Sequence, residues 1–485
     1  MKHTLLRVIA SACLACNCMA QTNILAETDQ LEKQGRFKEA SALLTKTLDS
    51  QHPPEAEVKA LAFERERIDR IKQDYSLTRD ALYDELKNSV KDLTPAEYDQ
   101  WIKAGWFDCR EIDGTLYFVG PSVSNLYFRH PELNARRFKA KNPAERERLT
   151  LESVRTIKQA VRAEHTPYVL PRKFHVTMSV TADADAAPVG DVIRAWVPIP
   201  RRYPFQYDFK LLSSSYPPKN IADENSPIRS IYFEEPAQAK KPTEFKIEYE
   251  FATRGVYFDL DPKEVRPLAP EDSAARPYTA EAPHVVFTPE IRELSAKIVG
   301  NETNPMLRAK RIYDWLSDHL QYSYALEYST IPNISDYCRS KGYGDCGQQG
   351  LLFITLCRYN GIPARWQSGW NMFPGDTTNH DWTEIYLAPY GWMPVDPYMG
   401  NYAMRYITTL TETDKREIRD FYFGGLDHYR MAANSDHSQQ LTPAKQSFRS
   451  DDVDFQRGEL EHSGTNIYFD KFSYHFERKE ITTPQ

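Results

Sequence analysis

Between residues 172 and 256 the apolar residues recur at every second position, and this change of period constrains the fold more than any other feature of the chain. Phe174, Val176, Met178 and Val180 alternate with His175, Thr177 and Ser179. Phe245, Ile247, Tyr249 and Phe251 alternate in the same way with Lys246, Glu248 and Glu250. Period two means half-buried strands, and several such segments divided by Pro, Asn and Asp clusters predict a β-sandwich over residues 170–260. The stretch Ala195-Trp-Val-Pro-Ile-Pro200 begins as a strand and is cut by its prolines, which suits an edge or a strand end.

On either side of this segment the period is helical. Leu31, Phe37, Ala40, Leu43 and Leu44 sit at helical spacing within residues 25–75. Gly35 to Ala40 resembles the turn and helix of a tetratricopeptide unit, but no second copy follows, so a docked helical hairpin is expected instead of a solenoid. Thr94-Pro95-Ala96-Glu97 reads as a capping box with proline at the first helical position. Cys109 to Val119 reads as a hairpin turning at Asp113-Gly114, with Cys109 expected as a buried small hydrophobe. These features make residues 21–165 an N-terminal, mainly helical region with a small hairpin. Residues 261–285, rich in Pro, Ala and charge, read as a linker. Helices then strands over residues 286–425 predict a catalytic core, and residues 426–485 a C-terminal extension. A chain of 485 residues is long enough for about three domains, and the fold class expected is α+β.

The N-terminus has the pattern of a secretory signal over residues 1–20. Lys2 and Arg7 precede the apolar run Val8 to Ala15, and Cys18-Met-Ala20 ends in small residues, which predicts Gln21 as the mature start. The run is too short to span a bilayer, and no later stretch approaches 18 apolar residues, so no transmembrane helix is expected. The location predicted is periplasmic or extracellular, with an outer-membrane lipid anchor through Cys16 or Cys18 as the alternative. Cleavage would leave Cys109, Cys338, Cys346 and Cys357. Their spacing matches no zinc pattern, no CxxC remains, and neither metal nor cofactor is expected. The formal net charge is −7, with basic residues interspersed among acidic ones, so nucleic acid is not expected as a partner.

Each remaining cysteine needs its own explanation, and Cys346 has the most distinctive setting. Gly342-Tyr-Gly-Asp-Cys346 is a loop that becomes a helix through GQQGLLFITLCRYNG, with Gly361 as its terminating C′ residue. Unpartnered N–H groups and the helix dipole at such a start favour a thiolate, although Asp345 opposes this unless it caps the helix. Gly342, Gly344 and Gly347 are expected to let backbone approach a substrate. Three strand-like segments follow, at Ala364–Trp370, His380–Leu387 and Trp392–Asp396. Antiparallel pairing through the short turn at Ala388–Gly391 brings Asp396 near residues 380–383. This makes Cys346 the candidate nucleophile, His380 its base and Asp396 the residue that orients the imidazole. Cys357 is expected to be buried three turns along the Cys346 helix, and Cys338 could pair with another thiol.

The run from about residue 305 to 400 resembles the transglutaminase-like superfamily, whose fold is papain-related. The matching pieces are Gly344-Asp-Cys346 before a helix, Gly361-Ile-Pro-Ala-Arg365, His380 with Trp382, and Gly391-Trp-Met-Pro-Val-Asp-Pro397. The resemblance implies Cys346, His380 and Asp396 as the triad, in an α+β core with the Cys346 helix packed on an antiparallel sheet. The upstream sandwich is similar, more weakly, to the β domain that precedes this core in many bacterial members. One departure stands out: Gly347 and Gln348 follow the cysteine where cross-linking members carry an aromatic. The Cys346 N–H is then one oxyanion donor, with Gln348 or Tyr343 as the candidate second.

These residues predict an exported thiol enzyme that acts on a peptide, protein or glycopeptide amide bond through a thioester. Hydrolysis is favoured over cross-linking. The alternatives are protein-glutamine cross-linking, a glycoasparagine amidase, or a non-catalytic binding protein on a relict core. The C-terminal extension, polar and aromatic-rich, is expected to cover the cleft or extend the sheet. Its Arg430, Arg449 and Arg457 are expected in structural ion pairs, with an acidic substrate as the alternative.

Overall fold

The structure is a computed structural model that describes residues 24–50, 55–139 and 142–481. The expected signal segment and Cys16 and Cys18 lie outside the described residues. The chain divides into two compact units, one up to Ala140 and one from Lys141.

The first unit is mainly helical. A helix over residues 24–33, then Phe37–Ser50 and Glu55–Asp74, bury Phe37, Ala40, Leu44, Leu61 and Ile68. Thr94 caps Pro95–Lys103 by accepting the Glu97 N–H, but the Glu97 carboxylate turns to Arg136, so only half of the capping box forms. The hairpin pairs Cys109–Ile112 with Thr115–Phe118, and Asp113 and Gly114 take positive φ at its turn. Cys109 is exposed, contrary to the sequence expectation. Alternation along the strand turns Ile112 inward, and so Cys109 and Glu111 outward.

The second unit begins with Ala144–Glu164, a helix read from sequence as part of the N-terminal region. It packs Val154, Ile157 and Val161 against Ala403 and Ile418, far along the chain, which is why the division falls before it. Two five-stranded antiparallel sheets form the sandwich. In one, Thr243–Tyr257 pairs with Tyr168–Ala182, which pairs in turn with Phe472–Ile481. In the other, Val192–Pro198 lies between Ser230–Pro236 and Glu459–His462. The Val192–Pro198 strand is therefore central, not an edge; its prolines lie at and beyond its end, where no ladder bond is lost. Phe174, Val176, Met178, Val180, Phe245, Ile247, Tyr249 and Phe251 are all fully buried between the sheets.

The C-terminal segment is thus no separate extension, and 425/426 is not a boundary. Its strands complete both sandwich sheets, and Arg430–Asn434 pairs with Ala364–Phe373 as the fourth strand of the sheet Gly391–Val395, Asp376–Leu387, Ala364–Phe373, Arg430–Asn434. That last pairing needs Gly369: a Cβ there would lie 1.7 Å from the Met431 carbonyl oxygen. Residues 261–285 are no free linker either. Arg266 bridges Ala388, and the Tyr386 hydroxyl donates to Asp272 at 2.7 Å, which straps the segment to this sheet.

Candidate active site

The helix Cys346–Tyr359 is buried from Cys346 to Arg358 and packs Leu351, Leu352, Phe353, Ile354 and Leu356 among Ile312, Leu316, Trp366 and Ile385. Fully burying each such side chain stabilises the fold by about 1.5–3 kcal/mol, so the helix start is rigidly placed. Asp345 is its N-cap: Oδ1 accepts the Gln348 N–H at 2.9 Å and the Tyr328 hydroxyl at 2.7 Å. Gly347 and Gly344 serve the protein's own packing and not substrate approach. A Cβ at Gly347 would meet the Tyr328 hydroxyl at 2.0 Å and Asp381 Oδ2 at 2.8 Å, and one at Gly344 would meet Gln348 and Cys338. Gly342, at φ +72°, ends the preceding helix Ile334–Lys341. Cys338 and Cys357 are buried free thiols.

His380 and Asp396 meet as the turn between their strands requires. Thr383 pairs with Val395, and Asp396 follows as N-cap of the helix Pro397–Arg405. Asp396 Oδ1 accepts the Met399 N–H at 3.0 Å. Its Oδ2 accepts from His380 Nε2 at 2.7 Å and from the Arg430 guanidinium at 3.1 Å. Arg430 is held from its other side by Asp427 at 2.9 Å. Burial alone would raise the Asp396 carboxyl, but His380 and Arg430 more than offset it and hold it below its ordinary value. An ionised Asp396 accepts only, so the imidazole carries its proton on Nε2 and its lone pair on Nδ1.

The thiol does not hydrogen-bond to that imidazole. Cys346 Sγ donates to Asp381 Oδ2 at 3.5 Å. Successive side chains leave a strand on opposite faces, so Asp381 and Thr383 turn toward the Cys346 helix while His380 and Trp382 take the other face. Burial, then Asp381 and Asp345, push the Cys346 thiol well above its ordinary value, against the sequence expectation of a lowered one. The helix start is outweighed because the site is dry and two carboxyl groups lie beside the sulfur. Burial, aided by Arg430, also keeps His380 below its usual value despite Asp396. The resting pair is therefore a neutral thiol and a neutral imidazole.

Replacing Asp345 with asparagine keeps the cap oxygen and removes one charge next to the sulfur. Alkylation of Cys346 by iodoacetamide at pH 8 should become about tenfold faster, its pH profile moving to lower pH. A profile that stays in place or moves upward would show that Asp345 does not control the thiol.

Cys346 opens into a cavity of about 260 Å³ whose walls include Tyr322, Tyr328, Asp381, Asp451, Gln456 and Arg457. Neither Gln348 nor Tyr343 lines it. Gln348 packs inward against Gly344, and Tyr343 pairs with Gln321 in a short parallel bridge. Asp381 was missed because the sequence reading followed only the His380 face of its strand. Asp451, Asp454 and Gln456 were missed because nothing local ties them to a thiol more than a hundred residues earlier. Arg430, Arg449 and Arg457 all make ion pairs with carboxylates, as expected of structural arginines. Among the described residues, no group of three or more His, Cys, Asp or Glu side chains is arranged to hold a metal ion, and no helix is long and apolar enough to cross a membrane.

Comparison with known proteins agrees with this core. Residues 292–397 match the sequence model of the transglutaminase-like superfamily. An uncharacterized protein of Haemophilus influenzae is 20% identical over 229 residues, 42% of this chain and 62% of that relative. The uncharacterized protein YebA of Bacillus subtilis is 29% identical over 129 residues, 23% of this chain and 17% of YebA. The chain thus spans less than two thirds of either relative's length. Among solved structures, the "Putative Cysteine Protease" of Cytophaga hutchinsonii aligns at a TM-score of 0.42 and 16% identity, over 66% of this chain and 93% of that one. The stretch from residue 292 to 397, with the Cys346 helix packed on its antiparallel sheet, is a transglutaminase-like core domain.

Proposed function

We propose that the protein is an exported thiol hydrolase that cleaves an amide or peptide bond through a thioester on Cys346. The observation that carries the reading is the charge-assisted bond from His380 to Asp396, which leaves the Nδ1 lone pair free to take a proton. The thiol turns from Asp381 to His380 Nδ1 and gives up its proton. The sulfur then attacks the carbonyl carbon, and the oxyanion forms near the Cys346 N–H at the helix start. His380, now charged and balanced by Asp396, protonates the leaving amine, and the C–N bond breaks to leave the thioester. Water, deprotonated by the same imidazole, attacks the thioester, releases the carboxylic acid and restores the thiol. A cavity of about 260 Å³ supports a small acyl group meeting water over two protein chains meeting each other. Export rests on the positive, apolar and small-residue pattern of residues 1–20, with peptide or glycopeptide as the substrate class.

Cross-linking and removal of glycan from asparagine use the same thioester and differ in product. Incubated with peptides and glycopeptides, the intact chain should generate new amino termini in preference to free ammonia, freed glycan or cross-linked species. Cys346→Ala should abolish this release. Undiminished release from Cys346→Ala would sink the assignment of the nucleophile. A neutral resting thiol is also what a non-catalytic binding protein would carry, and wild-type chain without any product from a broad peptide library would favour that reading.

A further inference from the structure

The walls around the thiol are built for charge of one sign. Glu327, Asp345, Asp381, Asp451 and Asp454 face the cavity, and among the described residues Arg457 is the one cation on its lining. Arg457 is already engaged, bidentate on Glu327 at 3.2 and 3.0 Å and 3.4 Å from Asp451. It leaves Asp345 and Asp381 with only neutral donors, from Gln348, Tyr328, Gln456 and the thiol itself. Asp454 has no ion pair at all among the described contacts. Burying several carboxylates around one arginine is costly, because the single cation only partly offsets their desolvation and mutual repulsion. Burial pushes Asp345 and Asp451 up to about 6, and Asp381 and Asp454 well above their ordinary value.

A second observation is independent of charge. Gln456 is only 1% exposed and lines the cavity. Its Nε2 donates to Asp381 Oδ1, whereas its Oε1 has no hydrogen-bond partner. Buried amide oxygens are nearly always satisfied, so an idle acceptor on a cavity wall marks a place for a ligand's donor. At the mouth, the rings of Tyr324 and Tyr474, 49% and 41% exposed, offer π faces that attract cations.

We propose that this cavity receives a positively charged nitrogen of the substrate, so that the residue at the scissile carbonyl carries a free amino terminus or a basic side chain. Its volume lies below the usual ~300 Å³ of whole-ligand pockets, which suits one such residue and not an extended chain. An ammonium supplies donors to Asp381 and to Gln456 Oε1 and brings positive charge to the acid-lined wall. The position of the scissile bond rests on Cys346 being the nucleophile; the preference for a cation belongs to the cavity alone.

The test therefore uses full-length Cys346→Ala, which lacks the thiol that opens into the cavity. L-lysinamide and Nα,Nε-diacetyl-L-lysinamide are titrated into it by calorimetry at pH 7.5. Lysinamide is expected to bind at least tenfold more tightly than its diacetyl form. Asp454→Asn, which loses no hydrogen bond, should weaken lysinamide at least threefold without affecting the diacetyl form. Equal affinities, binding of neither compound, or a preference for the neutral one overturns the proposal. The hydrolase reading fails separately, through product release that survives Cys346→Ala, so the two can be told apart.

Discussion

Replacing Asp396 with asparagine should lower turnover by about 10³–10⁴-fold while leaving substrate affinity little changed. The reason is a conflict over a single oxygen. Asp396 uses Oδ1 to cap the helix Pro397–Arg405 through the Met399 N–H, and Oδ2 to accept from both His380 and Arg430. An asparagine has one oxygen for these two places. If it keeps the cap, its amide nitrogen faces the Arg430 guanidinium and the Nε2–H of His380, donors against donors. The imidazole then moves its proton to Nδ1 and can no longer take one from the thiol. The measurement is the single-turnover acylation rate on any substrate the wild-type chain cleaves. A rate within tenfold of wild type would show that Asp396 only caps the helix.

The largest effect on stability is expected from Arg430→Met, which should destabilise the chain by about 3–5 kcal/mol at pH 7. Arg430 is 2% exposed and lies between two buried carboxylates, Asp396 and Asp427, with its guanidinium 5.5 Å from the Trp382 ring. Methionine fills much of the volume but takes away the cation shared by two buried carboxylates. The pH dependence follows from the same pair. In the wild type, burial would raise Asp427, but Arg430 holds it below its ordinary value, as His380 and Arg430 do for Asp396. Such groups contribute stability that is present above pH ~4 and lost as pH falls through their folded values. In the variant Asp427 would be raised by burial, while His380 still lowers Asp396, so the variant loses stability as pH rises above ~4. Urea unfolding should therefore show a gap between the two proteins that is wide at pH 7 and narrows toward pH 4.5. No change in midpoint at pH 7, or a gap that widens on acidification, would contradict the ion network.

The features that were legible in the sequence share a physical origin: each depends on neighbours a few residues away. Thr94 caps the helix that follows it because its side-chain oxygen meets an N–H three positions on. The alternation of Phe174 to Val180 and Phe245 to Phe251 marks the sandwich faces because a strand repeats every two residues. His380 and Asp396 could be paired on paper because a short turn fixes their register.

Two expectations failed where the deciding contact was not local. Cys109 was assigned to the core from its residue type, yet its face is set by Ile112. The strand Val192–Pro198 read as an edge or a strand end; its prolines do end it, yet Glu459–His462 covers it from more than 250 residues away, so it is no edge.

The thiol shows the same division most clearly. The sequence by itself determined that Cys346 begins a helix, that Asp345 precedes it as a cap, and that His380 and Asp396 come together. These follow from helix starts, strand parity and turn length. Only the tertiary structure decided the chemistry around the sulfur. It turned Asp381 toward the thiol, brought Asp451, Asp454 and Gln456 to the cavity on a segment from the C-terminal part of the chain, and buried the site. A helix dipole acts over one turn, whereas desolvation and the charges of packed neighbours depend on the whole fold. For that reason Cys346 could be singled out from the sequence, and the sign of its shift could not.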